Sequence, residues 1–126
     1  MKYFYCDSCF LITSFQDHLL GILSQYKHMF FVSETQIKDE LIKPVGLADK
    51  IRESVTVIEE NRQIIIKTNE LFNRYESLSY YDCLSLAFCI IDGYCLVTDD
   101  KALIKKCKDH QVITKTTKDI INEFIK

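Results

Sequence analysis

Carboxylates stand at four places in the chain where acids can do chemistry. Asp7 follows the apolar run Tyr3-Phe4-Tyr5-Cys6, and the adjacent pair Asp99-Asp100 follows Cys95–Thr98. Asp82 opens an almost wholly apolar segment, and Glu40 lies in the stretch that begins at Ser33. An acid directly after a buried strand sits at the strand's carboxyl end, the edge where open parallel sheets bind ligands. Several carboxylates gathered there repel one another unless a cation neutralises them. Mg²⁺ or Mn²⁺ suits oxygen-only ligands and keeps several of its own waters. An ion held in this way orients water and stabilises charge on a phosphoryl group. The chemistry indicated is metal-assisted phosphodiester hydrolysis.

Each acid also has a plainer role open to it. Ser79-Tyr80-Tyr81-Asp82 has capping-box spacing, and a first-turn acid complements the helix dipole. That role is compatible with a site role, because the first turn faces the preceding loop. In the segment after Ser33, Ile37 and Leu41 form the buried stripe. Asp39 then falls opposite that stripe and is solvated, while Glu40 lies about 80° to one side, at the edge of the packed face. Glu34 is in the first turn and serves the dipole, so Glu40 is the better candidate of the three. Either member of the Asp99-Asp100 pair could serve.

The elements that must position these acids alternate along the chain. Lys2–Asp7 reads as a strand, and Ser8 opens a short helix carrying Phe10, Leu11 and Ile12. Asp17 is expected to cap a second helix with Leu19, Leu20, Ile22 and Leu23 inward. Met29–Val32 is a strand. Ser33 with Gln36 has capping-box spacing, giving a helix Glu34–Lys43 that ends before Pro44. A helical turn over Ala48–Glu53 and a strand Val55–Ile58 follow. Asn61–Tyr75 is helical with Ile64, Ile65, Leu71 and Phe72 inward, and Ser79–Ile91 is the central helix. Strand Cys95–Thr98, helix Lys101–Cys107, strand Val112–Thr114 and a last helix with a Thr116/Asp119 capping box complete the chain. This alternation predicts an α/β fold: a parallel sheet of four to five short strands with helices on both faces.

Composition bounds the rest. The 126 residues suit one domain spanning 1–126, and 48% hydrophobic content with one Pro and three Gly fits a globular chain. No apolar run approaches the ~20 residues of a membrane span. The start MKYFYC lacks a charged n-region and cleavage site, so a cytoplasmic location is the expectation. Six cysteines then read as reduced, small apolar residues. Net charge is −2, but residues 101–126 carry seven Lys against Asp109, Asp119 and Glu123. That local excess suits an anionic partner.

Competing chemistries are weaker. Cys6-Asp7-Ser8-Cys9 is a C-x-x-C at a strand–helix junction, but Cys6 belongs to the apolar run and a reactive thiol needs exposure. The remaining cysteines are single, and His18, His28 and His110 show no ligand spacing. A receiver-type phosphoacceptor needs its acid pair after the first strand. Phosphatases with an Asp nucleophile need D-x-D there, and Asp7-Ser8-Cys9 lacks it.

The ordered pieces resemble a known family. These are Asp7-Ser8-Cys9-Phe10-Leu11-Ile12, Val32-Ser33 leading to Glu40-Leu41, Leu78-Ser79-x-x-Asp82 with Leu86-Ala87, and Leu96-Val97-Thr98-Asp99-Asp100-Lys101. In order and spacing they resemble the PIN-domain nucleases, the VapC-like toxin type above all, over essentially the whole chain. The resemblance implies a PIN-like (Rossmann-like) sheet and an Mg²⁺- or Mn²⁺-dependent endoribonuclease, often a homodimer held by a cognate antitoxin. It places the catalytic acids on Asp7, Glu40, Asp82 and Asp100, with Asp7, Asp82 and Asp100 holding metal. Ser8, Thr98 and Asp99 are the neighbours expected to hydrogen-bond them. Cys9 departs from the family, which more often has Ser or Asn there. Lys101, Lys105 and Lys106 are the candidates to track the RNA backbone. The alternative is a catalytically inactive PIN-like RNA- or protein-binding module using Lys101, Lys105, Lys106 and Lys108 as phosphate contacts. Retention of all four acids argues against it.

Overall fold

The computed structural model describes residues 2–125. Five parallel strands form one sheet: β1 (Phe4–Cys6), β2 (Phe30–Ser33), β3 (Thr56–Ile58), β4 (Cys95–Val97) and β5 (Thr114–Lys115). Their order is β3-β2-β1-β4-β5. The chain winds outward from β1 through β2 to β3, then returns to place β4 on the other flank of β1. A reversal of this kind opens a crevice at the carboxyl ends of the two strands that flank it, here β1 and β4.

Strand residues alternate between two apolar layers, as the two-residue period requires. Phe4, Cys6, Phe30, Val32, Cys95 and Val97 face one layer. It is completed by α1 (Ser8–Gln16), α2 (Leu20–Leu23), α3 (Glu34–Glu40), α4 (Leu47–Ser54) and α8 (Thr117–Phe124), through Phe10, Leu11, Leu20, Leu23, Ile37, Leu47, Ile51 and Ile120. Tyr5 and Leu96 face the other layer, closed by α5 (Arg62–Arg74), α6 (Tyr80–Asp92) and α7 (Lys101–Asp109). The central strands are covered on both faces, which explains their unbroken apolar sequences.

Among the helices, α6 is the most deeply buried. Every residue from Cys83 to Cys89 is buried, between the sheet on one side and other helices on the other. Phe88 stacks on Tyr5 of β1 with ring centroids 5.1 Å apart. The helix starts with a complete capping box on Ser79 and Asp82 and stops at Gly93, whose φ of 79° suits a residue without Cβ.

Some sequence expectations are corrected here. Asp17 does not cap a second helix; it terminates α1, and α2 starts on Leu19 without a side-chain cap. Helix α3 ends at Glu40 rather than Lys43, because Leu41 leaves the helical region and turns into the core. The last strand is Thr114–Lys115, beginning two residues and ending one residue later than expected. On α5 the buried stripe is Ile64, Thr68 and Leu71, spaced by four and three residues. Ile65 and Phe72 are exposed, at 45% and 46%. All six cysteines are free, and only Cys9 is exposed. Burial raises the Cys6 thiol well above its ordinary value, which removes the basis for a reactive Cys6–Cys9 pair. Among the described residues no helix is long and apolar enough to cross a membrane.

Candidate active site

The crevice between β1 and β4 collects the acids. Asp7 is the residue directly after β1, and its N–H is held by Val97 O of β4 at 3.0 Å. It is also the N-cap of α1, with Oδ1 accepting from Ser8 N at 2.9 Å. Thr98, fully buried at the end of β4, donates its hydroxyl to Asp7 Oδ2 at 2.8 Å. The same Thr98 oxygen accepts from Asp100 N at 3.1 Å. One threonine thus ties the first acid to the loop bearing the last. Asp7 is only 6% exposed.

Asp100 caps α7, its Oδ1 accepting from Ala102 N and Leu103 N at 2.9 and 3.2 Å. Asp82 occupies the first turn of α6, with Oδ2 accepting from Ser79 N at 3.1 Å. The carboxylate of Glu40, the last residue of α3, accepts from Ser8 Oγ at 2.6 Å. Four helix ends from four parts of the chain therefore present one acid each.

The acids are close enough for their charges to act on one another. Burial is the main cause that lifts Asp7 from 3.8 to about 6; the charges of Asp82 and Glu40 add to the rise, and the Thr98 and Ser8 hydrogen bonds oppose it. Asp82 is raised chiefly by burial, with Ser79 opposing and Asp100 adding. Glu40 is an exposed residue whose carboxyl is nonetheless raised, first by partial loss of hydration, against the Ser8 hydrogen bond and with Asp82 and Asp39 adding. The Cys9 thiol is raised first by burial and then by Asp7, Asp100, Asp82 and Glu40 together. Cys9 is therefore near enough to all four predicted acids to feel their charges.

Other predicted residues fall differently. Ser8 and Thr98 contact Glu40 and Asp7 as expected of neighbours. Asp99 does not join them: both its oxygens accept from Thr117, the N–H at 2.8 Å and the hydroxyl at 2.6 Å, so it fastens the start of α8. Asp39 is exposed yet not merely solvated, because Tyr81 donates to it at 2.6 Å across the mouth from α6. Lys101 and Lys105 are exposed on successive turns of α7, leading away from Asp100. Lys106 turns aside, with its ammonium 4.8 Å above the Tyr75 ring.

None of the four acids has a Lys or Arg partner among the described residues, where the ion pairs are Lys50–Glu53, Arg52–Glu34 and Lys67–Glu70. Nor do three His, Cys, Asp or Glu side chains stand close enough together, as placed, to hold an ion directly. The donor chemistry still fits a hard divalent cation. The donors are carboxylate oxygens, each Asp7 oxygen carries one hydrogen bond and has a lone pair to spare, and Mg²⁺ ordinarily takes one or two carboxylates and reaches others through water. The residue missed from the sequence is Gln36. It is fully buried, and its side-chain amide donates to Ser8 Oγ at 2.8 Å.

No protein-family model matches the chain, and no curated protein matches its sequence. Solved structures do match. PAE2754 from Pyrobaculum aerophilum is 16% identical with a TM-score of 0.66, over 98% of this chain and 89% of that one. A PilT N-terminus domain protein, SSO1118 from Sulfolobus solfataricus P2, is 12% identical with a TM-score of 0.65, over 98% of this chain and 94% of that one. At such identities the likeness speaks for architecture alone. The five-stranded parallel sheet flanked by helices is the fold of a PilT N-terminus, or PIN, domain.

Proposed function

We propose that this chain is a metal-dependent endoribonuclease of the PIN-domain type, hydrolysing RNA phosphodiester bonds. The observation that carries the reading is the placement of Asp7, Glu40, Asp82 and Asp100 about the β1/β4 crevice, with no cationic side chain among the described residues paired to them. Burial first, and neighbouring carboxylates second, raise Asp7, Asp82 and Glu40, and a divalent cation would relieve both. Asp7, Asp82 and Asp100 are the residues that would hold Mg²⁺ or Mn²⁺. Such an ion, when bound, supplies an activated water and charge stabilisation at the phosphoryl group.

The chain's own side chains do the rest. Thr98 and Ser8 N–H fix both oxygens of Asp7, so its lone pairs are aimed before any ligand arrives. Glu40, held by Ser8, is the acid free to accept a proton from an attacking water. Lys101 and Lys105 offer positive charge to the phosphates that flank the cleaved bond. The resemblance noted in the sequence extends the proposal to a toxin of a toxin–antitoxin pair, with an antitoxin protein as partner and a homodimer as the working form.

The test is cleavage of structured and single-stranded RNA with Mg²⁺ or Mn²⁺ by the wild type, Asp7→Asn and Asp82→Asn. The expected result is product from the wild type only, abolished by EDTA. Equal cleavage by all three proteins would sink the assignment. A second reading, an inactive RNA-binding module, is favoured by one observation: no three ligand side chains stand ready for an ion among the described residues. It predicts salt-dependent RNA affinity with no product at any metal concentration.

A further inference from the structure

Three helices begin with capping-box spacing, and two complete the box. Asp82 returns a hydrogen bond to Ser79 N, and Asp119 to Thr116 N. Helix α3 does not. Ser33 Oγ accepts from Gln36 N at 3.0 Å, but the Ser33 N–H is taken by the Tyr5 hydroxyl on the neighbouring strand, at 3.1 Å. The Gln36 side chain is released from capping and runs instead through the core.

Its orientation there is forced. The Tyr5 oxygen already accepts from Ser33 N–H, so its single proton goes to Gln36 Oε1 at 2.7 Å. That leaves Gln36 Nε2 to donate to Ser8 Oγ at 2.8 Å and to Cys6 O at 3.4 Å. Ser8 Oγ thus accepts from Gln36, and its one proton goes to Glu40 Oε1 at 2.6 Å. A flipped amide would strand the Tyr5 proton and turn the amide oxygen to the Cys6 carbonyl. Both groups are fully buried, and an unmade buried hydrogen bond is costly. The chain of donors therefore runs one way, from a backbone N–H in β2 to a carboxylate in the crevice.

Glu40 needs such a hold. It is the last residue of α3, where the helix dipole disfavours an acid, and its side chain is otherwise free to swing into water. We infer that Gln36, backed by Tyr5, is a positioning residue for Glu40, setting the Ser8 hydroxyl so that it donates to that carboxylate and keeps it turned toward Asp7. The inference rests on the proposal that Glu40 is one of the nuclease acids.

The variants are Gln36→Met, which keeps volume, Tyr5→Phe, which removes one hydroxyl, Ser8→Ala, and the double variant Ser8→Ala/Gln36→Met. Two readouts are taken. In metal-free protein at one fixed pH, the ¹³C signal of the Glu40 carboxyl should move in the same direction in every variant. In cleavage assays kcat should fall about tenfold with KM nearly unchanged, the loss of one directed hydrogen bond in the transition state. The double variant should lose no more than Ser8→Ala alone, because Gln36 acts through Ser8. A folded Gln36→Met with an unmoved Glu40 signal, or losses that add in the double variant, overturns the inference. If Gln36→Met fails to fold, Tyr5→Phe decides on the same two signatures. An inactive wild type defeats the nuclease proposal, and the carboxyl signal still judges the relay.

Discussion

Removing the charge of Asp7 should stabilise the metal-free protein. Asp7 is a buried carboxylate whose pKa rises from 3.8 to about 6 on folding. Its proton is therefore held more tightly folded than unfolded, so ionising it costs folding free energy. Below about pH 4 both states are protonated and the penalty is absent; it grows as pH rises toward 6 and is constant above. The rise corresponds to a penalty of about 3 kcal/mol at neutral pH. Asp7→Asn removes it but gives something back. Thr98 now donates to Oδ2, and an amide nitrogen facing it would displace the Thr98 proton, a loss of ~1 kcal/mol. The net gain is about 2 kcal/mol, or ~8 °C in Tm for a chain of this length.

The assay is thermal or urea unfolding of both proteins in EDTA, from about pH 4 to about pH 8, reading the difference between them. Groups remote from the crevice titrate alike in both proteins and cancel in that difference, whereas Asp82 and Glu40, which feel the Asp7 charge, add a smaller contribution of the same sign. The difference should be near zero or slightly negative at the acid end, climb between pH 4 and 6, and then level off. A difference that is flat with pH would show that Asp7 carries no uncompensated charge. The electrostatic reason for placing a cation at the crevice would fail with it.

Three further outcomes follow from the same geometry. Mg²⁺ or Mn²⁺ should raise the wild-type Tm progressively, by about 2.7 kcal/mol of stability at a hundredfold excess over Kd, and leave Asp7→Asn unmoved in differential scanning. Lys101→Ala and Lys105→Ala should each lower the slope of log affinity against log salt for single-stranded RNA by about 0.7, measured by fluorescence anisotropy with a catalytically silenced protein. Ser79→Ala should cost about 1 kcal/mol in urea unfolding through the lost cap and weaken metal affinity as well, since Asp82 is steadied by that box.

What the sequence makes legible is local chemistry and its order. Asp7 and the Asp99-Asp100 pair are recognisable because an acid ending an apolar run must sit at a strand's carboxyl end. Ser79-x-x-Asp82 and Thr116-x-x-Asp119 are recognisable because a capping box is made within four residues. Partner choice across the fold is not legible. The two acids after the Cys95–Thr98 run are alike in type, and the fold separates them: Asp99 binds the start of α8 through Thr117, while Asp100 caps α7. Ser33-x-x-Gln36 reads like the other two boxes, and nothing nearby reveals that a tyrosine 28 residues away takes the Ser33 N–H. Tyr5 itself reads as one more apolar strand residue, since its hydroxyl matters only once β2 lies beside β1. Ile65 and Phe72 fail for a related reason: a threonine, Thr68, holds the central place in the α5 stripe and hides its true face. Its hydroxyl is satisfied by Ile64 O at 2.7 Å.

The topology also explains why a chain can carry this many acids together and still fold. In a parallel sheet every strand delivers its carboxyl end to the same edge, and the helix that follows starts there with its positive end. Asp7 caps α1, Asp100 caps α7 and Asp82 sits in the first turn of α6, so three of the four acids lie on helix N-termini. Each such placement is worth about 0.3–1 kcal/mol, so the three together come to roughly 2 kcal/mol. That falls short of the penalty of about 3 kcal/mol at Asp7 alone, before Asp82 and Glu40 are counted. Glu40 has the reverse arrangement, an acid at a helix C-terminus, and it is the one acid whose local support comes from a relay through Gln36 rather than from a dipole. The helix ends make the acid cluster foldable without making it neutral, and the charge left over is what a divalent ion would answer.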